Sequence, residues 1–325
     1  MLDIVGKRGW YFLFSAIIIV IALIALIPPP GWATLNSGLN PGIDFTSGSV
    51  LDVTFSEPVD QNLVYKEMKN LGHPEALVQT TGANSVIIRT KVLNESEGSS
   101  ESARQSIQRH LEKAISPIDS LAFDSISPII AQETIRNAVF AMLAASVFIL
   151  LYIWYAFRRA PKAYRYGISA IIALVHDTII ILGLFSILGK TIGMEVNATF
   201  IIGILTVAGY SVNDTIVVFD RIRENVIRHP EREFTSLVNT SIVETIGRSM
   251  NTSLTTFVVL LALLLIGGDS IRGLILVVAA GVVVGTYSSI FIASQFLVIW
   301  DRKEFRSIFQ LRKNRTESST GNSSA

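Results

Sequence analysis

Two carboxylates interrupt long apolar segments of this sequence. Asp214 breaks the run from Val196 to Phe219, and Asp177 breaks the run from Tyr166 to Gly189. Charged side chains inside apolar spans are costly and often line ion or substrate pathways. A carboxyl group that gains and loses a proton as its hydration changes is suited to proton relay. We therefore expect Asp214 to relay protons, with Arg221 two helical turns further on the same face; the alternative is a structural anchor.

Arg248 stands where another apolar segment begins. Thr252, Thr255 and Thr256 follow at near-helical spacing on a stretch that is otherwise rich in Leu. Lipid cannot satisfy hydroxyl groups and a guanidinium, so this polar stripe is expected to face the interior of a helix bundle. An arginine that only marks the membrane interface explains the same position equally well.

His176 and Asp177 are neighbours in the sequence, so on a helix their side chains point about 100° apart. That geometry does not suit a chelating pair, and the other histidines lie outside the apolar segments. A structural role or a proton network is expected at this pair, with no metal and no cofactor. Hydrolase, metalloprotease and P-loop motifs are missing, and the chain has no cysteine. The sequence therefore does not predict an enzyme.

Composition places these residues in a membrane protein. The 325 residues are 50% hydrophobic and 16% charged, with a mean hydropathy of +0.49; soluble domains carry about 25% charged residues. A net charge of +1 gives no reason to expect nucleic-acid binding. Six segments approach the roughly 20 residues that a membrane span needs. They cover residues 10–27, 136–157, 166–189, 196–219, 248–268 and 273–300.

Lysine and arginine in the short loops predict the orientation of these spans. Sixteen basic residues fall on the side of both termini, and the opposite loops carry only Lys190 and Arg272. Residues 1–9 and the tail 301–325 are thus expected in the cytoplasm. Residues 220–247 should form a cytoplasmic amphipathic segment along the membrane surface, and residues 28–135 should form an external domain. The first span reads as a retained anchor because it exceeds the usual length of a signal core and has no cleavage site.

The external segment alternates between strand and helix patterns. Strands are predicted at 43–55, with a bulge at Gly48, and at 76–80, 85–91 and 120–126. Helices are predicted after an Asp60 cap and over 101–115, and the polar stretch 94–102 is predicted to be an exposed loop. The order βαββαβ is that of a ferredoxin-like α/β domain. The predicted fold is therefore an α-helical membrane protein with six spans and this external domain between the first two.

Several motifs resemble the SecF family, the smaller subunits of the SecD–SecF accessory complex of the bacterial protein translocase. They are GIDFT at 42–46, ALVHD at 173–177, GYSVNDTIVVFDRIREN at 209–225, and Arg248 with NTSLTT at 251–256. The resemblance extends over the chain apart from its tail, in the expected order. It departs from the family at Ser47, where a glycine is usual, and at 127–133.

The resemblance implies a resistance-nodulation-division fold, and it matches Asp214 and Arg248 to proton-pathway residues. Side chains beside them form a possible supporting polar network: His176, Asp177, Tyr210, Asn213, Asn251 and Thr252. It also implies SecD, the SecY-SecE-SecG channel and the exported unfolded polypeptide as partners. The implied place is the bacterial plasma (inner) membrane, and the implied function is coupling of the proton motive force to late-stage protein export.

Other functions compete with this interpretation. A half-size small-molecule efflux transporter of the same superfamily is the main alternative, although such transporters usually carry two large external domains in one chain. A scaffold without ion coupling would be indifferent to the loss of the Asp214 charge. An intramembrane hydrolase would need a nucleophile or a pair of catalytic carboxylates.

Overall fold

The computed structural model describes residues 3–28, 38–74, 76–93, 103–158, 160 and 162–301. The chain forms two compact units, a helix unit (Met1–Asn40 with Phe140–Ala325) and a sheet unit (Pro41–Val139). The loop predicted at 94–102 and the tail beyond residue 301 lie outside the described residues.

The sheet unit has four antiparallel strands in the order β2-β3-β1-β4. With the helices between the strands, this is the βαββαβ arrangement, and it confirms the ferredoxin-like prediction. Its elements are α2 (Ile43–Thr46), β1 (Gly48–Phe55), α3 (Gln61–Asn70), β2 (Leu77–Thr80), β3 (Ser85–Thr90), α4 (Ala103–Ala114) and β4 (Ile118–Ile126).

Alternation along the strands builds the core of this unit. Leu51, Val53 and Phe55 of β1 are fully buried, and they belong to one cluster with Val64 of α3 and Leu111 of α4. The Asp60 side chain accepts a hydrogen bond from the Asn62 backbone N–H at 2.9 Å, so it caps α3 as predicted.

The start of β1 differs from the prediction. Residues 43–46 form the short helix α2 instead of strand, and β1 begins at Gly48, which has a φ of +132°. The register shift against β4 lies between Thr54 and Phe55, so the bulge is not at Gly48. Residues 50–55 form strand as their alternating pattern predicted, but residues 43–46 form a helical turn and not the predicted strand.

Within the described residues, six helices are long and apolar enough to cross a membrane, as predicted. The sixth contains a π-helical turn, Ser289–Ala293, between two α-helical parts. The elements are α1 (Arg8–Ala25), α5 (Pro128–Ala156), α6 (Tyr164–Ile192), α7 (Ala198–Arg228), α8 (Phe234–Ile266), α9 (Asp269–Ser288) and α10 (Ser294–Asp301).

The segment 220–247 is not a separate surface helix. Most of it extends α7 and α8, which are joined by a short connection after Arg228. Ile222 is fully buried in the main hydrophobic cluster, and the Asn225 amide donates to the Ser241 hydroxyl on α8 at 2.9 Å. Ile222 and Val226 therefore pack against neighbouring helices while Ile227 is exposed, so the amphipathic pattern belongs to the ends of α7 and α8 and not to a helix of its own.

The C-terminal end of α1 is fastened to α6. The Ser186 hydroxyl and the Lys190 ammonium both donate to the carbonyl oxygen of Ala25, and Lys190 also donates to that of Ile27 at 3.0 Å. These bonds satisfy carbonyl groups that a helix end leaves without an intrahelical partner. The helix that leads toward the sheet unit in the chain is thus held firmly at its end.

Candidate functional site

Asp214 lies on α7 and is 6% exposed. Its Oδ2 atom and the Ser249 Oγ atom on α8 are both buried, and neither has a hydrogen-bond partner among the described residues. Ser249 is the polar side chain next to the Asp214 carboxyl group. An ionised carboxylate in apolar surroundings is costly unless it is paired, whereas a protonated one costs far less. The structure thus shows a buried carboxyl group with an unpartnered oxygen, and proton relay at Asp214 stays a prediction.

Small residues bring α9 close to the face of α7 that carries this site. A Cβ atom placed on Gly281 would lie 2.0 Å from Val207 Cγ2, and one on Gly285 would lie 2.9 Å from Ser211 Cβ. The Gly281-to-Gly285 spacing is the small-xxx-small pattern of closely packed membrane helices. The π-helical turn then places the Ser289 Oγ atom 2.8 Å from Thr215 Oγ1 on α7.

His176 and Asp177 lie at the centre of a buried hydrogen-bond cluster. His176 Nδ1 is 3.0 Å from Asp177 Oδ1, and His176 Nε2 is 3.1 Å from the Ser15 Oγ atom on α1. Asp177 Oδ2 accepts hydrogen bonds from Ser211 of α7 at 2.6 Å and from Ser288 of α9 at 2.8 Å. The two side chains thus touch each other and bind three further helices.

The sequence anticipated a polar network at His176 and Asp177 but missed its serines. Ser15, Ser211 and Ser288 come from three separate helices, and serine is common enough in membrane helices to give no signal by itself. The angular argument was also too strict, because side-chain torsions bring the adjacent imidazole and carboxylate together.

Arg248 does not contact Asp214 in this chain. Its side chain points outward from α8 and is exposed, and the described residues show no ion pair between the two. Arg221 lies on α7 two turns beyond Asp214, as predicted, but it does not pair with that carboxyl group. Its guanidinium binds Glu224 at 2.5 Å and Glu244 at 2.6 Å.

The remaining predicted residues divide between interior and surface. The Tyr210 hydroxyl donates to the Ser253 Oγ atom of α8 at 3.2 Å, and Ser253 in turn contacts Thr286 of α9. Asn213, Asn251 and Thr252 are exposed with Arg248, so the polar stripe of α8 does not face the interior of this chain's own bundle, contrary to the prediction. We call these four residues of α7 and α8 the exposed polar surface.

The described residues contain no group of three histidine, aspartate or glutamate side chains placed to hold a metal ion.

Comparisons with known proteins identify the family. Residues 84–303 match the model described as protein export membrane protein SecD/SecF, C-terminal, and residues 32–59 match the SecD/SecF GG motif. The chain is 40% identical to protein translocase subunit SecF of Thermobaculum terrenum, covering 95% of this chain and 97% of that one. It is 37% identical to the SecF subunit of Anaerolinea thermophila, with the same shares covered. This chain belongs to the SecD/SecF family.

Solved structures of the family show the same fold. Crystal structures of SecDF, one of them from Thermus thermophilus and described as translocon-associated, superpose with TM-scores of 0.76 and 0.60 at 31% and 29% identity. The match covers 93% of this chain but only 39% of the Thermus SecDF chain. SecDF therefore contains a further portion, larger than this chain, that has no counterpart here.

Ser47 lies within the segment that matches the SecD/SecF GG motif. Ser47 stands where the resemblance expected glycine, and its φ of 62° and ψ of 165° place it in a region of backbone space that is almost restricted to glycine. The serine therefore carries backbone strain immediately before β1.

Proposed function

We propose that this chain is the SecF-type subunit of a bacterial protein-export apparatus. Together with a SecD-type partner, it couples the proton motive force to the late stage of export through the SecY-SecE-SecG channel. The exported unfolded polypeptide is its client, and the subunit itself catalyses no covalent reaction. The observation that carries this proposal is the buried, incompletely partnered Asp214 carboxyl group beside the exposed polar surface.

The exposed polar surface supports a partner within the membrane. Arg248, Asn213, Asn251 and Thr252 are exposed on helices that are long and apolar enough to span a bilayer. Insertion scales assign an arginine at the centre of a span a cost of about 2.5–3.5 kcal/mol, and one near the end of a span, such as Arg248, a smaller cost. A protein surface that offers hydrogen-bond acceptors and a carboxylate removes this cost. The part of SecDF that this chain lacks is the source we propose for such a surface.

The basic residues support the orientation of the subunit. Sixteen lysines and arginines fall on the side of both termini and two on the other side, which puts both termini in the cytoplasm by the positive-inside rule. We accordingly place the helices in the plasma membrane and the sheet unit outside the cytoplasm.

Movement of a proton across the membrane through Asp214 supplies the energy for this coupling. Moving one elementary charge across 100 mV is worth about 2.3 kcal/mol. Asp214 would alternate between a protonated state, as its unpaired Oδ2 atom suits, and an ionised state facing water or the Arg248 guanidinium. Because Arg248 does not touch Asp214 here, the ionised state requires a rearrangement of α7 against α8 or a contact from the partner.

Export of a secretory precursor into inverted membrane vesicles tests this function. The vesicles contain this chain, its SecD-type partner and the channel, with or without a proton gradient. Asp214→Asn retains the shape of the side chain and cannot cycle a proton, so gradient stimulation should be lost while the complex still assembles. Asp220→Asn is the matched control, because Asp220 is an exposed carboxylate on the same helix that binds Arg223 at 2.6 Å. Equal gradient stimulation in both variants would contradict the proposal.

A further inference from the structure

Hydrogen-bond directions around His176 determine where its protons lie. The Tyr287 hydroxyl donates to the carbonyl oxygen of Tyr11 at 3.0 Å, and the Ser15 hydroxyl donates to the Tyr287 oxygen at 3.2 Å. Ser15 has one hydroxyl hydrogen, so it can only accept from His176 Nε2, which is 3.1 Å away. His176 Nε2 therefore carries a hydrogen.

The other ring nitrogen needs a second hydrogen. His176 Nδ1 and Asp177 Oδ1 are 3.0 Å apart, and two lone pairs would repel at that distance. Either the ring is doubly protonated beside a carboxylate, or a neutral ring accepts from a protonated carboxyl group. In both cases the pair holds one proton more than a neutral histidine with an ionised aspartate. It is also neutral overall, as its full burial favours.

We propose that His176 and Asp177 form a second proton-binding site, separate from Asp214 and loaded in this conformation. The site joins four helices, because its hydrogen bonds reach Ser15 on α1, Ser211 on α7 and Ser288 on α9. Removal of the shared proton leaves the ring with one hydrogen, which stays on Nδ1 beside the ionised carboxylate. Nε2 then no longer donates to Ser15, so this hydrogen bond persists only if the Ser15 hydroxyl turns from Tyr287 toward the ring. The shared proton thus fixes the direction of the hydrogen bonds that link α1, α6 and α9.

Within the described ranges, no charged side chain that faces the His176–Asp177 pair neutralises it, so the shared proton keeps the pair neutral. Tyr287 of α9 faces the imidazole, with ring centroids 6.4 Å apart, and Ser15, Ser211 and Ser288 supply hydroxyls. Asp214 lies about one turn beyond Ser211 on α7. No lysine or arginine among the described residues forms a hydrogen bond or ion pair with either member.

Buried polar atoms toward one end of the bundle indicate how a proton reaches the pair. Gln295 of α10 is fully buried, and its Oε1 and Nε2 atoms have no hydrogen-bond partner in the described part of the chain; the same is true of Ser169 Oγ on α6. Each lies about two helical turns from the cluster, toward the end where Arg165 binds Asp301. Buried polar groups without protein partners are usually satisfied by water. Water that satisfies the Gln295 and Ser169 side chains would carry protons from the Arg165–Asp301 end of the bundle to the His176–Asp177 pair.

Solid-state NMR of the full chain in lipid vesicles tests the proton count without relying on export. Three substitutions outside the six spans, His73→Asn, His110→Gln and His229→Gln, leave His176 as the one histidine, and the protein is labelled with 15N-histidine and 13C-aspartate. At neutral pH we expect hydrogen on Nε2 and a second hydrogen on either Nδ1 or the Asp177 carboxyl group. A bare Nδ1 beside an ionised Asp177 would overturn the site. This result does not depend on the role of Asp214, so the two proposals can fail separately.

Hydrogen–deuterium exchange at the His176 ring tests the route. Gln295→Met preserves the length of the side chain and removes its polar atoms, so exchange should slow at least several-fold relative to the unsubstituted chain. Tyr210→Phe is the control, because its hydroxyl belongs to the separate bond with Ser253. Unchanged exchange in Gln295→Met would overturn this route.

Discussion

The two carboxylates inside the helix unit differ in how completely the chain itself satisfies them. Asp177 is fully buried and binds His176, Ser211 and Ser288. Asp214 is also buried, yet its Oδ2 atom has no hydrogen-bond partner among the described residues. A buried polar group that is fully satisfied fixes one arrangement of its helices, whereas one that is not can favour a second arrangement. We infer that the His176–Asp177 pair, while it holds its shared proton, keeps the bundle in this arrangement, and that Asp214 can change state without breaking such a cluster.

The same difference separates polar groups that this chain satisfies by itself from those that need a partner protein. The hydrogen-bond partners of His176 and Asp177 all come from other helices of this chain or from each other. Arg248, Asn213 and Asn251 of the exposed polar surface point outward, where a lipid environment cannot satisfy their side chains. The Thr252 hydroxyl instead donates to carbonyl oxygens of its own helix. The distinction therefore predicts which substitutions damage coupling and which damage folding.

The largest effect on export should follow from removal of the Arg248 charge. If its guanidinium meets an ionised carboxylate in the working complex, Arg248→Ala should remove most of the gradient stimulation of export. The coupling energy of about 2.3 kcal/mol per charge at 100 mV corresponds to roughly a 50-fold change. Arg248→Lys keeps the charge and should retain part of the activity. Export into vesicles measures both, and wild-type stimulation in Arg248→Ala would remove this residue from the pathway.

Asp177 should matter for stability far more than Asp214. Asp177→Leu leaves His176, Ser211 and Ser288 without their hydrogen-bond partner, and breaking a buried pair of this kind costs about 3–5 kcal/mol when it is charged. Asp214→Asn should change stability by less than about 1 kcal/mol, since no hydrogen bond to Oδ2 is lost. Unfolding in mixed lipid–detergent micelles compares the two. Similar losses in both variants would break the distinction between the sites.

Overpacking of the contact between α7 and α9 should disturb both the Asp214 site and the His176–Asp177 cluster. Gly281→Ala places a methyl group 2.0 Å from Val207 Cγ2, and overpacking of this kind costs about 1–3 kcal/mol. Gly209→Ala on α7 is the matched control, because a Cβ atom there meets nothing within 4 Å. The same unfolding measurement applies, and equal stability of the two variants would show that the α7–α9 contact is loose.

Relief of strain at Ser47 should stabilise the sheet unit without affecting either carboxylate. Its backbone conformation costs about 1–3 kcal/mol for a residue with a Cβ atom, and glycine gives back about 0.4–1 kcal/mol through the freedom of the unfolded chain. Ser47→Gly should thus gain about 1 kcal/mol. Slower amide exchange in β1 would report the gain, while faster exchange would contradict the strain.

The smallest effect is a pH dependence on the surface of the sheet unit. The His110 ring, together with Asn70, hydrogen-bonds to Glu67 and lowers the pKa of its carboxyl group. A lowered pKa in the folded state stabilises the fold above the ordinary glutamate value of about 4.3, and this contribution is lost as the pH falls. Amide exchange in α3 and α4 should be slower in the unsubstituted protein than in Glu67→Gln at neutral pH only. A difference that persists in acid would have another cause.

The sequence was a good guide wherever a periodic pattern controlled the outcome. Six apolar runs became six helices, and alternation at residues 50–55 became β1 with its buried face. It failed at Ile43–Thr46, where a single helical turn has too few residues to show a period. It also failed at residues 220–247, because an amphipathic face packs equally well against helices or lipid.

The candidate site was predictable by residue and not by arrangement. Asp214, His176 and Asp177 were visible because charge inside an apolar span is rare. Their different environments depend on serines contributed by three helices and on the close approach that Gly281 and Gly285 allow. Such contacts are long-range, so no local spacing reports them.

Proton movement during export tests most directly the claim that Asp214 carries protons. Vesicles with this chain, a SecD-type partner and the channel receive a pH-sensitive dye inside, and proton flux is followed while a precursor is exported. We expect export-dependent flux in the unsubstituted complex and in Asp220→Asn, and none in Asp214→Asn. Undiminished flux in Asp214→Asn would contradict the account.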